Sequence, residues 1–163
     1  MASRPDLDFS PVELVTRVLR VARFLQLRLD RIAEAYGLSH QGDLEVLTEL
    51  NLGGPLTPSE LAEDLLLTTG GMTVRLNRLQ EADLLRRHPN PEDGRGVLIH
   101  LTPQGKEVAE DALLTLIQAQ TAMVGTLEES DRDHLTGLLR TFLIGLGDVP
   151  AFSPAVVAKR RKQ

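Results

Sequence analysis

The chain has no cysteine and no tryptophan, and aromatic residues make up only 3% of it. Without thiols there are no disulfides, no thiolate-held metals and no thiol redox switch. With so few rings, leucine, valine and alanine must fill the core. No stretch approaches about 18 uninterrupted apolar residues, and the start, MASRPDLDFS, lacks an apolar signal region. A cytoplasmic protein without membrane contact is therefore expected. The four histidines, His40, His88, His100 and His134, are scattered and show no metal-binding spacing. No nucleophile elbow and no phosphate loop with lysine appears, so neither an enzyme nor a cofactor or metal is expected. His40, Asp43 and Glu45 share one short neighbourhood, which leaves a metal-sensing regulator as a rival reading.

The chain has 163 residues and a net charge of −5. That length suits one domain with a real core. The average charge conceals a division. Residues 68–100 hold five arginines against four acids, so the acidic surplus lies in the rest of the chain. An acidic body with one arginine-bearing segment suits a protein that meets DNA with one face.

Apolar residues recur at steps of 3 and 4 through most of the chain, and alternation is scarce, so the class is mainly α. Ser10-Pro11-Val12-Glu13 has the form of a capping box, opening a helix over about 11–36. That helix carries the seam Val15, Val18, Ala22, Leu25, Leu29, Ile32, Tyr36, and Gly37 ends it. A second helix is expected from Ser39 to about Leu50, with 51–55 as its break. Thr57-Pro58-Ser59-Glu60 opens a third by the same capping logic. The fourth contains Met72, Leu76 and Leu79. RRHPNPEDGRGVLIHLT then reads as a β-hairpin with a long exposed tip. Thr102-Pro103 starts a fifth helix to about residue 127, and Ser130 caps a sixth ending near Gly145 and Gly147. A basic tail, 151–163, is expected to be disordered.

A short helix, a tight turn, a second helix and a hairpin make a winged helix-turn-helix, here about 39–101. The fourth helix opens unusually, with TTGG before MTVRLNRL. Glycine costs about 0.5–1 kcal/mol relative to alanine inside a helix. Gly70 and Gly71 either let backbone approach a sugar-phosphate wall or permit close packing on the preceding helix. Thr68 or Thr69 caps the helix and can donate to phosphate. Stepping 100° per residue from a buried Met72 points Gly70, Thr73, Val74, Asn77, Arg78 and Glu81 outward, with Gly71 and Arg75 on the flank. Arg78 and Asn77 are candidates for base edges or phosphates, and Thr73 and Val74 for a thymine methyl. In the wing, Arg86, Arg87 and Arg95 are the candidate contacts. Arg95 at the tip suits the minor groove, and Asp93 is placed to orient Arg87 or Arg95.

LTPSELAEDLLLTTGGMTVRLNRLQEADLLRR and HPNPEDGRGVLIHLTPQGKE, with GLSHQGDLEVLTEL before them, resemble the MarR family of bacterial transcription regulators over roughly residues 12–147. The GGMT-x-R-x-x-RL pattern is most similar to the urate-responsive, PecS-like subgroup. The resemblance implies a homodimer held by helices 11–36 and 103–147, with double-stranded DNA as partner at a pseudo-palindromic site. It implies a repressor released by a small anionic or aromatic ligand. Glu45, Arg75 and Arg87 match the subgroup's ligand-binding acid and arginines, but its tryptophan has no counterpart. Asp83 stands where the family has glycine, which predicts a strained or altered corner after the recognition helix. A winged helix that binds protein instead of DNA is the second rival.

Overall fold

The computed structural model describes residues 7–91 and 96–147. The expected basic tail and the wing residues Asp93 and Arg95 lie outside the described residues. Six helices and one hairpin follow in order: α1 (Ser10–Ala35), α2 (Gln41–Gly53), α3 (Pro58–Asp64), α4 (Thr69–Glu81), β1 (Leu85–Pro89), β2 (Val97–Leu101), α5 (Pro103–Val124) and α6 (Glu129–Gly145). This is the expected class, mainly α with a small hairpin.

Threonine caps set the winged part. Thr57 and Glu60 form the capping box on α3, with Thr57 accepting from the Glu60 amide and Glu60 from the Thr57 amide. Thr68 caps α4 and Thr102 caps α5, each hydroxyl accepting from the amide three residues on. Serine does not do the same. Ser10 is the first residue of α1 rather than its cap, and its amide donates to Asp8 Oδ1 at 2.9 Å. His40, not Ser39, precedes α2, whose first amide donates to Asp30 Oδ1 of α1. Ser130 lies inside α6 behind Glu128. At α2 the acceptor is a carboxylate on the preceding helix, which spacing alone does not reveal.

Two helix ends also differ from expectation. α2 runs on to Gly53 because the turn is made one residue later, by Gly54 at φ +83°. α5 stops at Val124 before Gly125, short of residue 127. Gly37 ends α1 at φ +72°, as expected.

The core lies where α2, α3, α4, the hairpin base and the first half of α5 meet. Leu44, Leu47, Leu61, Met72, Leu76, Leu79, Leu85 and Ile99 are fully buried there. Each such side chain contributes about 2 kcal/mol by leaving water. β1 and β2 pair antiparallel in the register Leu85 with Leu101 through Pro89 with Val97. Ile99 also donates its amide to the Leu56 carbonyl at 2.8 Å, which stitches the hairpin to the segment before α3.

Outside this core the chain is apolar but uncovered. In α1 the seam reaches the core only at its end, with Ile32, Ala33 and Tyr36 packed inward. Val12, Val15, Leu19, Phe24 and Leu25 face out. α6 buries nothing, and Leu138, Phe142, Leu143 and Leu146 are exposed. Apolar faces of this extent mark an interaction surface.

The corner after α4 is strained as expected. Asp83 adopts φ +54°, and its carbonyl accepts from the Thr102 hydroxyl at 2.6 Å. The same corner demands glycine elsewhere: a Cβ on Gly105 would overlap the Leu84 carbonyl. Because the obstacle is backbone, it cannot move aside without opening the hairpin base. Gly105→Ala is expected to cost about 3 kcal/mol of stability by overpacking, measured by urea unfolding. An unchanged midpoint would show that this corner is not closely packed.

Candidate nucleic-acid interface

α4 stands on the surface with its N-terminal turn foremost. Gly70, Thr73, Val74, Asn77 and Glu81 are exposed, as the helical projection gives, along with Thr68 and Thr69. Val74 is 60% exposed, an apolar side chain held in water. The Thr73 hydroxyl is tied to the Thr69 carbonyl at 2.9 Å, so its methyl is the group it presents. The two glycines differ. A Cβ on Gly71 would touch the Thr68 hydroxyl at 3.2 Å, whereas one on Gly70 would meet nothing within 4 Å. Packing against the preceding helix therefore does not explain Gly70. Its bareness faces outward.

The inner flank of α4 corrects one expectation. Arg78 does not point outward. Its guanidinium crosses to α2 and grips Asp43 with both arms, Nε donating to Oδ2 at 2.9 Å and Nη2 to Oδ1. Asp43 is 1% exposed. A buried carboxylate is tolerated only when paired and hydrogen-bonded, and the planar fork supplies both. The pairing also raises the Arg78 pKa, chiefly through these hydrogen bonds. Arg75 takes the same direction one turn earlier. It lies over Gly42, where any Cβ would collide with its guanidinium, and approaches Glu45 Oε2 at 3.7 Å. Two arginines of α4 thus hold it to α2.

In the wing, Arg87 reaches back to α4 and donates to Asn77 Oδ1 and Gln80 Oε1, both at 2.8 Å. Arg86 pairs loosely with Asp83 at 3.3 Å. Both arginines remain exposed. His88 and His100 meet edge to face at 4.8 Å, and burial, aided by the neighbouring His88, lowers the pKa of His100.

The expected ligand trio does not assemble. Glu45 and Arg75 meet, but Arg87 is spent on α4, away from them. Glu45 instead lines a cavity of about 440 Å³ between α1, α2, α5 and the turn of the helix-turn-helix, and neither arginine lines it. Burial raises the Glu45 pKa against the opposing charge of Arg75. Among the described residues no three histidine, aspartate or glutamate side chains gather as a metal set, and no helix is long and apolar enough to cross a membrane.

Sequence reasoning missed Gly42, Asp43 and Gln80 as parts of this interface. A signal was present for Asp43: it shares the 3–4 spacing of Val46, Leu47 and Leu50, so a carboxylate stands on the apolar face of α2.

Comparison with known proteins agrees with this geometry. The MarR family model matches residues 36–96. The transcriptional regulator PecS of Dickeya dadantii is 30% identical over 83% of this chain and 83% of its own length. The apo structure of MarR from E. coli superposes with a TM-score of 0.66 at 26% identity, covering 80% of this chain and 96% of MarR. The DNA complex of MepR from S. aureus superposes with a TM-score of 0.73 at 20% identity, covering 85% and 99%.

Removing Arg78 strands a buried charge. Arg78→Ala is expected to cost about 2–3 kcal/mol, less than a fully buried pair because a third of the arginine is in water. Replacing both partners, Asp43→Leu with Arg78→Met, should cost less than the single change, measured by chemical unfolding. A double variant no more stable than Arg78→Ala would refute the stranded-charge explanation.

Proposed function

The chain belongs to the MarR family of transcriptional regulators, and from that premise we propose that it binds a pseudo-palindromic DNA site as a homodimer and represses until a small ligand releases it. Gly70 carries the reading. A glycine at the tip of an exposed helix, with open space where its side chain would be, suits a backbone that must come close to something outside the chain. The first turn of a helix presents amides and the positive end of the dipole, which favour phosphate. Beside it, Thr73 and Val74 offer methyl groups suited to thymine. Arg86 and Arg87 stay exposed on β1, where they can meet the phosphate backbone.

The uncovered faces of α1 and α6 support the homodimer. A second copy supplies the same apolar surface with two-fold symmetry, and two α4 tips then meet half-sites about 10 bp apart. The cavity supports ligand response. Its lining includes Leu65 and Leu66, just ahead of the α4 cap Thr68, and Glu45, whose partner Arg75 is on α4. An occupant there bears on both supports of the recognition helix. This reading places the protein in the cytoplasm, on the chromosome.

Gly70→Ala separates fold from function because the two respond oppositely. Alanine meets no neighbour and reduces unfolded-chain freedom, so stability should hold or rise by about 0.5 kcal/mol. DNA affinity, read by fluorescence anisotropy on the upstream region of its own gene, should fall, and the parent's affinity should drop steeply with salt. Unchanged affinity in the variant, or a flat salt response in the parent, would refute the proposed contact.

A further inference from the structure

The cavity has a charge character opposite to the one implied by the family resemblance. Leu29, Leu44, Leu52, Leu113, Leu116 and Ile117 form its apolar wall. Among the described residues, the charged side chains on its lining are acidic: Glu45 and Glu49 from α2 and Asp64 from the end of α3. The Thr48 hydroxyl is already donated to the Leu44 carbonyl at 2.8 Å. Gln41 Oε1 is buried and accepts no hydrogen bond, while the amide nitrogen of the same side chain donates to Glu45 Oε1 at 3.1 Å. Polar atoms on the α2 side thus converge as acceptors. Arg75 sits on α4 outside the lining, and its buried Nη1 stands 3.7 Å from Glu45 Oε2 without a hydrogen bond.

An anion entering this space would leave water to face carboxylates. A protonated amine would meet acceptors, one of them without a partner, and each ammonium carries three donors. The volume of about 440 Å³ is that of a small-molecule site. We propose that this cavity binds a small organic cation, with an apolar body against the leucines and its ammonium group between Glu45 and Gln41. The effector reading above assigns the cavity a regulatory role, but the charge preference stands on the lining itself.

Two probes with one ring system and opposite charge test this: 1-naphthylmethylamine and 1-naphthylacetate, titrated calorimetrically into the full chain near neutral pH. The amine should bind at least about tenfold more tightly, a difference of one charged contact. Glu45→Gln should weaken the amine by a similar factor, and Leu113→Trp, which fills the cavity, should abolish binding even if the first variant folds poorly. Equal or tighter binding of the acid, no binding of either probe, or an amine indifferent to both variants would overturn the proposal. DNA anisotropy run beside it separates the two readings. Amine binding that leaves the DNA complex intact keeps the cation site and rejects its effector role. Amine binding by a chain with no affinity for DNA rejects the regulator reading alone.

Discussion

The pose of α4 depends on one buried carboxylate. Asp43 sits buried on the apolar face of α2, where a carboxylate is costly without a partner. Arg78 is the partner, so the helix that carries Arg78 must lie where both arms of its guanidinium reach both carboxylate oxygens. Leucine packing alone tolerates some sliding, but a two-armed ion pair does not. Arg75 over Gly42 adds a second, softer attachment in the same direction. Arg87 from the wing adds a third through Asn77 and Gln80. The helix is thus held from α2 and from the hairpin, and its bare N-terminal turn is left free.

The two glycine features face in opposite directions. Gly42 and Gly105 lack side chains because other parts of the chain fill the space, an arginine in one case and a carbonyl in the other. Gly70 lacks one with no neighbour to explain it. Glycine on an inner surface serves packing, whereas glycine on an outer surface points to a partner. The same division runs through the hydrophobic residues. Most of those from α2 to β2 close on each other, whereas those of α6 and of α1 ahead of Ile32 are largely uncovered among the described residues.

Much of this was legible in the sequence. Spacing of 3 and 4 marked all six helices, and Val97 to Leu101 marked the strand. Three threonine caps were readable because a cap and the amide it serves are three residues apart. The exposed face of α4 followed from Met72 and the helical angle, apart from Arg78. That residue escaped because its partner is 35 positions away and only the fold brings them together. Arg87 escaped because its partners lie on α4, across the turn that leads into β1. The caps expected at Ser10 and Ser130 did not form, because both serines lie within their helices, behind Phe9 and Glu128. The glycine-to-aspartate change at the end of α4 was a sound signal, since Asp83 does hold a left-handed backbone. The acidic cavity was out of reach, because its lining comes from four separate segments of chain.

The central claim is that the α4 tip, presented by a dimer, enters the DNA. The lack of native cysteine allows a single one to be placed at will. The most direct measurement puts Thr73→Cys on α4, attaches a copper–phenanthroline cleaver, and maps the cuts in bound DNA against the same reagent at Asp133→Cys on α6. The account predicts two clusters of cuts from position 73, about one helical turn apart, and none from position 133. Uncut DNA from position 73, a single cluster, or equal cutting from both positions would contradict it.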